Sequence, residues 1–298
     1  MISNKRLLII PLIALLLTGC NTPRKNKKRS TTDSSQGGGG GGGTGRVGPV
    51  SGKEISETGR ILGTKYVYDI PVGDYYNGLD DSKTGTDLIN ALHDFNESKI
   101  TQLTGYSSIL GAGFYTDNHG EDGKIYGFYE DQYITSVSGA GWNREHVWPA
   151  SRTQNGRDDK TDPVEMDCLH IRPTDPNANQ SRSNIFYGQS SPNFDPGYKI
   201  EAYRGEAARI IFYVAIKDPV LKIKDIDNID PDKKPNTMGK LSDMLRWNLQ
   251  YAVRDQELYR NSGSQYKQGN RNPFVDHPEY ACKIWGSTNA TTRQICGM

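Results

Sequence analysis

Apolar and polar positions divide the chain into three regimes. Leu7 to Leu17 is an apolar run of eleven residues, too short to span a bilayer comfortably. From residue 21 to about 58 the chain is polar and glycine-rich, with Gly37 to Gly43 unbroken, and offers nothing for a core. Globular patterning starts near Tyr66. Leu88, Ala91, Leu92 and Phe95 recur at helical spacing, and Thr86-Asp87 can cap the start. Residues 125–129 and 133–137 read as strands, and Gly139 to Gly141 break the chain after them. Residues 169–172 form a short β-like stretch ending at Pro173, and the polar stretch 174–184 is expected to turn helical after that proline. Ala207, Ala208, Ile211, Phe212 and Ala215 predict a helix over 205–217. Residues 241–259 predict another, with Leu245, Leu249, Ala252 and Val253 inward.

Composition sharpens this picture. Only 34% of the 298 residues are hydrophobic and the mean hydropathy is -0.71. Part of that deficit lies in the first 60 residues, and the remainder is long enough to bury one sizeable core. The formal charge of +1 hides an asymmetry: seven Lys/Arg and no acid lie in residues 1–30, leaving 29 basic and 35 acidic residues elsewhere. The folded part therefore lacks the overall basic footprint of a nucleic-acid binder, and any attraction for phosphate must be local.

The N-terminus has the layout of an export signal. Lys5-Arg6 precedes the apolar run, and Leu17-Thr18-Gly19-Cys20 resembles a bacterial lipobox, which implies cleavage and lipid attachment at Cys20. The expected organisation is a lipoprotein signal over 1–19, a flexible basic Gly/Ser tether over 20–58 and a catalytic domain over 59–298. The product is expected to be exported and anchored at the cell envelope or surface, as a monomer. Cys168, Cys282 and Cys296 show no Cys-x-x-Cys spacing; Cys282 and Cys296 are placed to close a short loop, and Cys168 reads as a buried thiol.

Chemistry concentrates in two clusters. Asn143-Arg144-Glu145-His146-Val147-Trp148-Pro149 supplies a cation, a carboxylate and a histidine within a few residues. Asp167-Cys168-Leu169-His170-Ile171-Arg172-Pro173 follows, and then Asn177, Asn179, Arg182 and Asn184. Phosphodiester hydrolysis needs an activated water, charge stabilisation at phosphorus and protonation of the leaving oxygen. A neutral histidine suits the first task near neutral pH. One hard divalent cation on oxygen ligands covers the others. Glu145 and His146 point to opposite faces of any regular strand, so the segment is expected to bend. Asn179 offers a hard amide oxygen, with Asn177 and Asn184 as rivals. His170 reads as a structural hydrogen-bonder, Asp276 and His277 as braces of the fold, and Trp142 and Trp148 as core.

The stretches NREHVWPASR and DCLHIRPTDPNANQSRSN, in this order, closely resemble the bacterial endonuclease I family of the ββα-metal (His-Me finger) superfamily. Arg204 to Arg209 and RNPFVDHPEY at 271–280 agree, so the resemblance spans roughly 66–287. It implies an α+β fold with a ββα-metal finger core in a mixed, helix-rich single domain. It also implies Glu145 and Asn179 as metal ligands, His146 as general base and Arg182 as a phosphate or leaving-group contact. The implied activity is sequence-nonspecific cleavage of DNA, and often RNA, to 5′-phosphate ends. The implied cofactor is one divalent cation, with Mg²⁺ expected first and Mn²⁺ or Ca²⁺ left open. Few cysteines separate this chain from the disulfide-rich periplasmic members. Two other classes stay in view: a phosphodiesterase for another substrate, suggested by the acidic balance, and a non-catalytic surface lipoprotein. A zinc protease is excluded, since no histidine follows His146 four residues on.

Overall fold

The computed structural model describes residues 60–62, 65–67, 75–106, 116–118, 125–134, 141–153, 162–228 and 236–298. The signal and the whole tether, Cys20 included, lie outside the described residues, as do residues 135–137 of the second expected strand.

The architecture is mixed and helix-rich, with small sheets between the helices. In chain order the elements are β1 (Arg60–Leu62), β2 (Lys65–Val67), α1 (Gly85–Lys99), β3 (Ile125–Tyr126), β4 (Tyr133–Ile134), β5 (Asn143–His146), β6 (Ile171–Thr174), α2 (Pro176–Arg182), α3 (Tyr203–Lys217), β7 (Lys222–Ile223), β8 (Thr237–Met238), α4 (Leu241–Gln250), α5 (Asp255–Gln268), α6 (Pro273–Asp276), α7 (Tyr280–Trp285) and α8 (Ala290–Cys296). The pairs β1–β2, β3–β4 and β5–β6 are antiparallel; β7–β8 is parallel.

Helix α3 is the hub. Its expected apolar stripe is present, but the helix is buried on every side rather than on one face. A helix buried all round must satisfy its polar residues internally. It does so with ion pairs: Glu206 to Arg172 and Arg254, Arg209 to Glu257, and Lys217 to Glu97. Gly205 lets α4 close in, because a Cβ there would lie 2.8 Å from the Cβ of Tyr251. Helix α1 buries Leu88 and Leu92 in the same core, each worth roughly 1.5–3 kcal/mol.

The helix expected over 241–259 is two helices. The chain breaks at Tyr251, whose carbonyl accepts from Arg209 Nη1 at 3.0 Å. Helix α5 then starts afresh, with the Glu257 side chain accepting from the Arg254 N–H at 3.0 Å. As a result Leu249, expected inward, is 54% exposed. Cys282 and Cys296 form a disulfide with Cα atoms 5.6 Å apart, and Cys168 is a buried thiol. Trp142 and Trp148 are both core. Asp276 braces the fold by binding Arg271, Tyr76 and Asn261.

Candidate active site

The two sequence clusters meet through β5, β6 and α2. Glu145 pairs with Arg172 and His146 with Ile171 across the antiparallel ladder. The second strand is shifted from expectation: it runs from Ile171 through Pro173 to Thr174, with Leu169 and His170 in the turn before it. Pro173 has no N–H to give, but its carbonyl accepts from Phe128 N–H at 2.7 Å, so the outer edge of β6 is still engaged. Helix α2 follows at once. Asp175 caps it, accepting from the Asn177 and Ala178 N–H groups at 2.8 and 3.2 Å, and Pro176 occupies its first turn.

Strand β5 is regular through His146, and the chain bends after it, at Val147 and Trp148. Glu145 and His146 therefore face opposite ways. Glu145 is 1% exposed and looks toward α2. Its Oε1 accepts from Tyr129 Oη at 2.7 Å and Tyr187 Oη at 3.5 Å, and lies 3.2 Å from Arg182 Nε. Burial raises the Glu145 carboxyl above the ordinary carboxylate range, against the opposing pull of Arg182 and the tyrosine hydroxyls. The same burial, reinforced by Glu145, holds the Tyr129 hydroxyl firmly protonated, and Tyr187 is pushed up to about 12. Both phenols thus donate.

Arg182 is fully buried behind Glu145. Its Nη2 donates to the Val147 carbonyl at 2.7 Å and its Nη1 to the Ser183 carbonyl at 2.6 Å, which ties the end of α2 to the bend after β5. Its charge is held by Tyr187 and Glu145 despite the cost of burial. The guanidinium that the sequence offered to phosphate is thus spent inside the protein. Asn179 lies one turn before Arg182 on the same side of α2, half-buried, and its side chain makes no hydrogen bond among the described residues. Asn177 sits on an exposed part of the helix.

On the other face, His146 is 20% exposed at its side chain. Its Nε2 is enclosed without a hydrogen bond, 3.7 Å from Glu165 Oε2. Glu165 is itself buried, and its Oε1 is also unpartnered. Since Nε2 is enclosed, the nitrogen that reaches solvent is Nδ1. Tyr106 stacks on the ring at 5.7 Å, and the ring of His170 stands edge-on at 5.9 Å. His170 is fully buried and bridges the Val164 carbonyl and the Trp148 N–H, both at 2.9 Å. Burial depresses it to about 3, so it is a neutral brace, as its alternation with Leu169 and Ile171 suggested.

The donor set suits a hard divalent cation bound by few protein groups. All the hydrogen bonds and the ion pair of Glu145 fall on Oε1, leaving Oε2, and the Asn179 amide is unengaged. Both are oxygen donors of the kind Mg²⁺ takes alongside water and phosphate. Among the described residues no three of His, Cys, Asp and Glu converge as a metal cage, which is the pattern of a softer, all-protein site.

A model of the endonuclease I family matches residues 86–198 and 190–279. The chain is 32% identical over 230 residues to an extracellular ribonuclease of Bacillus subtilis (strain 168), covering 71% of this chain and 78% of that protein. It is 34% identical over 224 residues to an extracellular ribonuclease of Bacillus amyloliquefaciens, covering 68% and 75%. The chain belongs to the endonuclease I family. It is a nuclease, a hydrolase of phosphodiester bonds whose substrate is nucleic acid.

Sequence reasoning missed several residues that the structure brings to this candidate site. Glu165 stands among scattered acids, Asp158, Asp159, Asp162 and Asp167, and carries no motif of its own. Tyr129 and Tyr187 lie 16 and 42 residues from Glu145, with nothing in their local pattern to link them to it. The one available signal for Glu165 was its place just before the Asp167–Arg172 cluster.

Proposed function

We propose that this nuclease is a metal-dependent, sequence-nonspecific endonuclease acting on DNA and RNA, with His146 as general base. The observation that carries this reading is the division of labour across β5. One face holds Glu145 and Asn179 with oxygens to spare; the other holds His146 with one nitrogen toward Glu165 and the other toward solvent. A nucleic-acid strand laid across the end of β5 meets both. Glu145 and Asn179 would hold a hard divalent cation, Mg²⁺ first, which when bound supplies charge neutralisation at the phosphoryl oxygens and an acidified water for the leaving group.

His146 Nδ1 removes the proton from the attacking water. Glu165, facing Nε2, orients the ring and steadies the imidazolium that forms; the 3.7 Å gap is of a kind that closes when substrate binds. Arg182 and the two tyrosines fix the Glu145 carboxylate. Arg182 is thus assigned a positioning role, because its guanidinium has no exposed surface to offer a phosphate. Attack by water with departure of the 3′-oxygen leaves 5′-phosphates. RNA is included because the two relatives are named ribonucleases.

The relatives are also named extracellular, which supports export. We assign residues 1–19 to a lipoprotein signal, 20–58 to a tether and 59–298 to the catalytic domain, with lipid on Cys20. No described helix is long and apolar enough to cross a membrane. Incorporation of labelled palmitate that is lost in Cys20→Ser supports the anchor; equal labelling removes it.

The deciding experiment is cleavage of supercoiled plasmid and of long RNA with Mg²⁺, with EDTA, and by His146→Ala. Cleavage that needs both the metal and His146, and leaves 5′-phosphates, is expected. His146→Ala activity equal to wild type, or 2′,3′-cyclic RNA ends, would overturn the mechanism.

A further inference from the structure

Among the described residues, the cations around β5 and β6 are almost all spent. Arg172 holds Asp117 and Glu206, Arg182 holds Glu145, and Arg260 holds Asp117. Arg152 is fully buried, bonded to the Asn184 carbonyl and Asn228. None of these can meet a substrate phosphate without first breaking a buried contact. Arg144 is different. It is half-buried, and among the described residues it has neither an acid nor a hydrogen-bond acceptor; its Nε is enclosed without a partner. A guanidinium carries five donors and is costly to leave unanswered in a partly dry place.

Position adds direction to this. Arg144 and His146 are two apart on a regular strand and share a face. The Arg144 guanidinium lies 4.6 Å from the centre of the Tyr106 ring, and that ring stacks on His146 at 5.7 Å with 23° between planes. Cation, ring and base form one stack. A guanidinium held over an aromatic ring keeps its N–H donors free of that contact, and a guanidinium can bind a phosphate through two oxygens.

We propose that Arg144, held by Tyr106, is the group that binds the scissile phosphate beside His146. The proposal rests on the nuclease reading with His146 as base. It places the local positive charge that an acidic domain needs at the base itself, and it gives to Arg144 the phosphate contact that the sequence pattern offered to Arg182.

The test uses the full chain and the salt dependence of kcat/KM on a long single-stranded polynucleotide. Arg144→Gln should lower kcat/KM about 10- to 100-fold, as expected for loss of a charge-assisted hydrogen bond. It should also flatten the log–log dependence on NaCl by about 0.7, the value of one lost phosphate contact on a single strand. Arg144→Lys should restore most of the slope with an intermediate rate. A rate loss in Arg144→Gln with the wild-type slope would overturn the proposal and make Arg144 a structural residue. The same slopes measured as oligonucleotide binding in a His146→Ala background keep the test independent of chemistry and of folding damage that lowers only turnover. A wild-type enzyme that fails to cut would sink the nuclease mechanism instead, while those binding slopes would still judge Arg144.

Discussion

Acidification should destabilise this nuclease through His170, and the size of the effect follows from its surroundings. The ring is fully buried, with Nε2 accepting from Trp148 N–H at 2.9 Å and Nδ1 donating to the Val164 carbonyl at 2.9 Å. Protonating Nε2 would give up the Trp148 N–H and leave the Trp148 carbonyl, 3.1 Å away, as the new partner. That offset is smaller than the cost of a buried charge beside His146 and Arg182, so the folded state holds the ring at about 3 against an ordinary 6.5. The sign follows from linkage: the unfolded chain binds this proton first. The stability that neutral His170 contributes is complete above about pH 6.5, falls as pH drops below that, and is gone near pH 3. The full gap corresponds to roughly 5 kcal/mol, comparable to the whole stability of a modest domain. Other carboxylates titrate in the same window, so the assay is a difference. Urea unfolding of wild type and His170→Gln, from pH 7 to pH 4.5, isolates the one group, because glutamine keeps an acceptor for Trp148 and has no proton to gain. The variant should be the less stable at pH 7, and the gap should narrow by about 1.4 kcal/mol per pH unit below pH 6. A gap that stays constant across that range, or a His170 ring whose NMR shifts titrate near pH 6, would refute the reasoning.

Three further outcomes are expected. Arg182→Met strands the Glu145 carboxylate in a buried site and should cost about 3–5 kcal/mol in urea unfolding; a loss under 1 kcal/mol would show that Glu145 is held by its tyrosines alone. Glu165→Gln should lower kcat by roughly 10- to 100-fold, a share of the 10²–10⁴-fold that a general base supplies, with KM on RNA little changed. A KM effect with kcat intact would remove Glu165 from its assigned role. Replacing Cys282 and Cys296 by serine opens a loop closed over a separation of 14 residues and should cost about 3 kcal/mol by chain entropy. Denaturation midpoints that do not respond to reductant would contradict that.

What could be read along the chain was whatever local physics controls. Helices α1 and α3 announced themselves by apolar spacing, because a helix must turn one stripe inward. Helix α2 was legible from Pro173 onward, and Asp175-Pro176 set its start through a cap and a ready-made φ. The chemical identities of Glu145, His146 and Asn179 were present as residue types in a recognisable order.

Tertiary structure decided the rest. At the break between α4 and α5 a local cap, Glu257 on the Arg254 N–H, is joined by Arg209, which reaches out of α3 to the Tyr251 carbonyl and Glu257; that second contact cannot be read from 241–259 alone. The partners of Arg182 decided its place. The family resemblance implies a phosphate contact there, yet Glu145, Val147, Ser183 and Tyr187 engage its guanidinium inside the protein. Glu165 enters the candidate site only because the chain returns it to within 3.7 Å of His146. Residue type and spacing determine which groups are available and which local elements form, since those depend on neighbours along the chain. Which charge is spent inside and which is left for substrate depends on contacts between residues far apart in sequence, and only the folded protein settles that allocation.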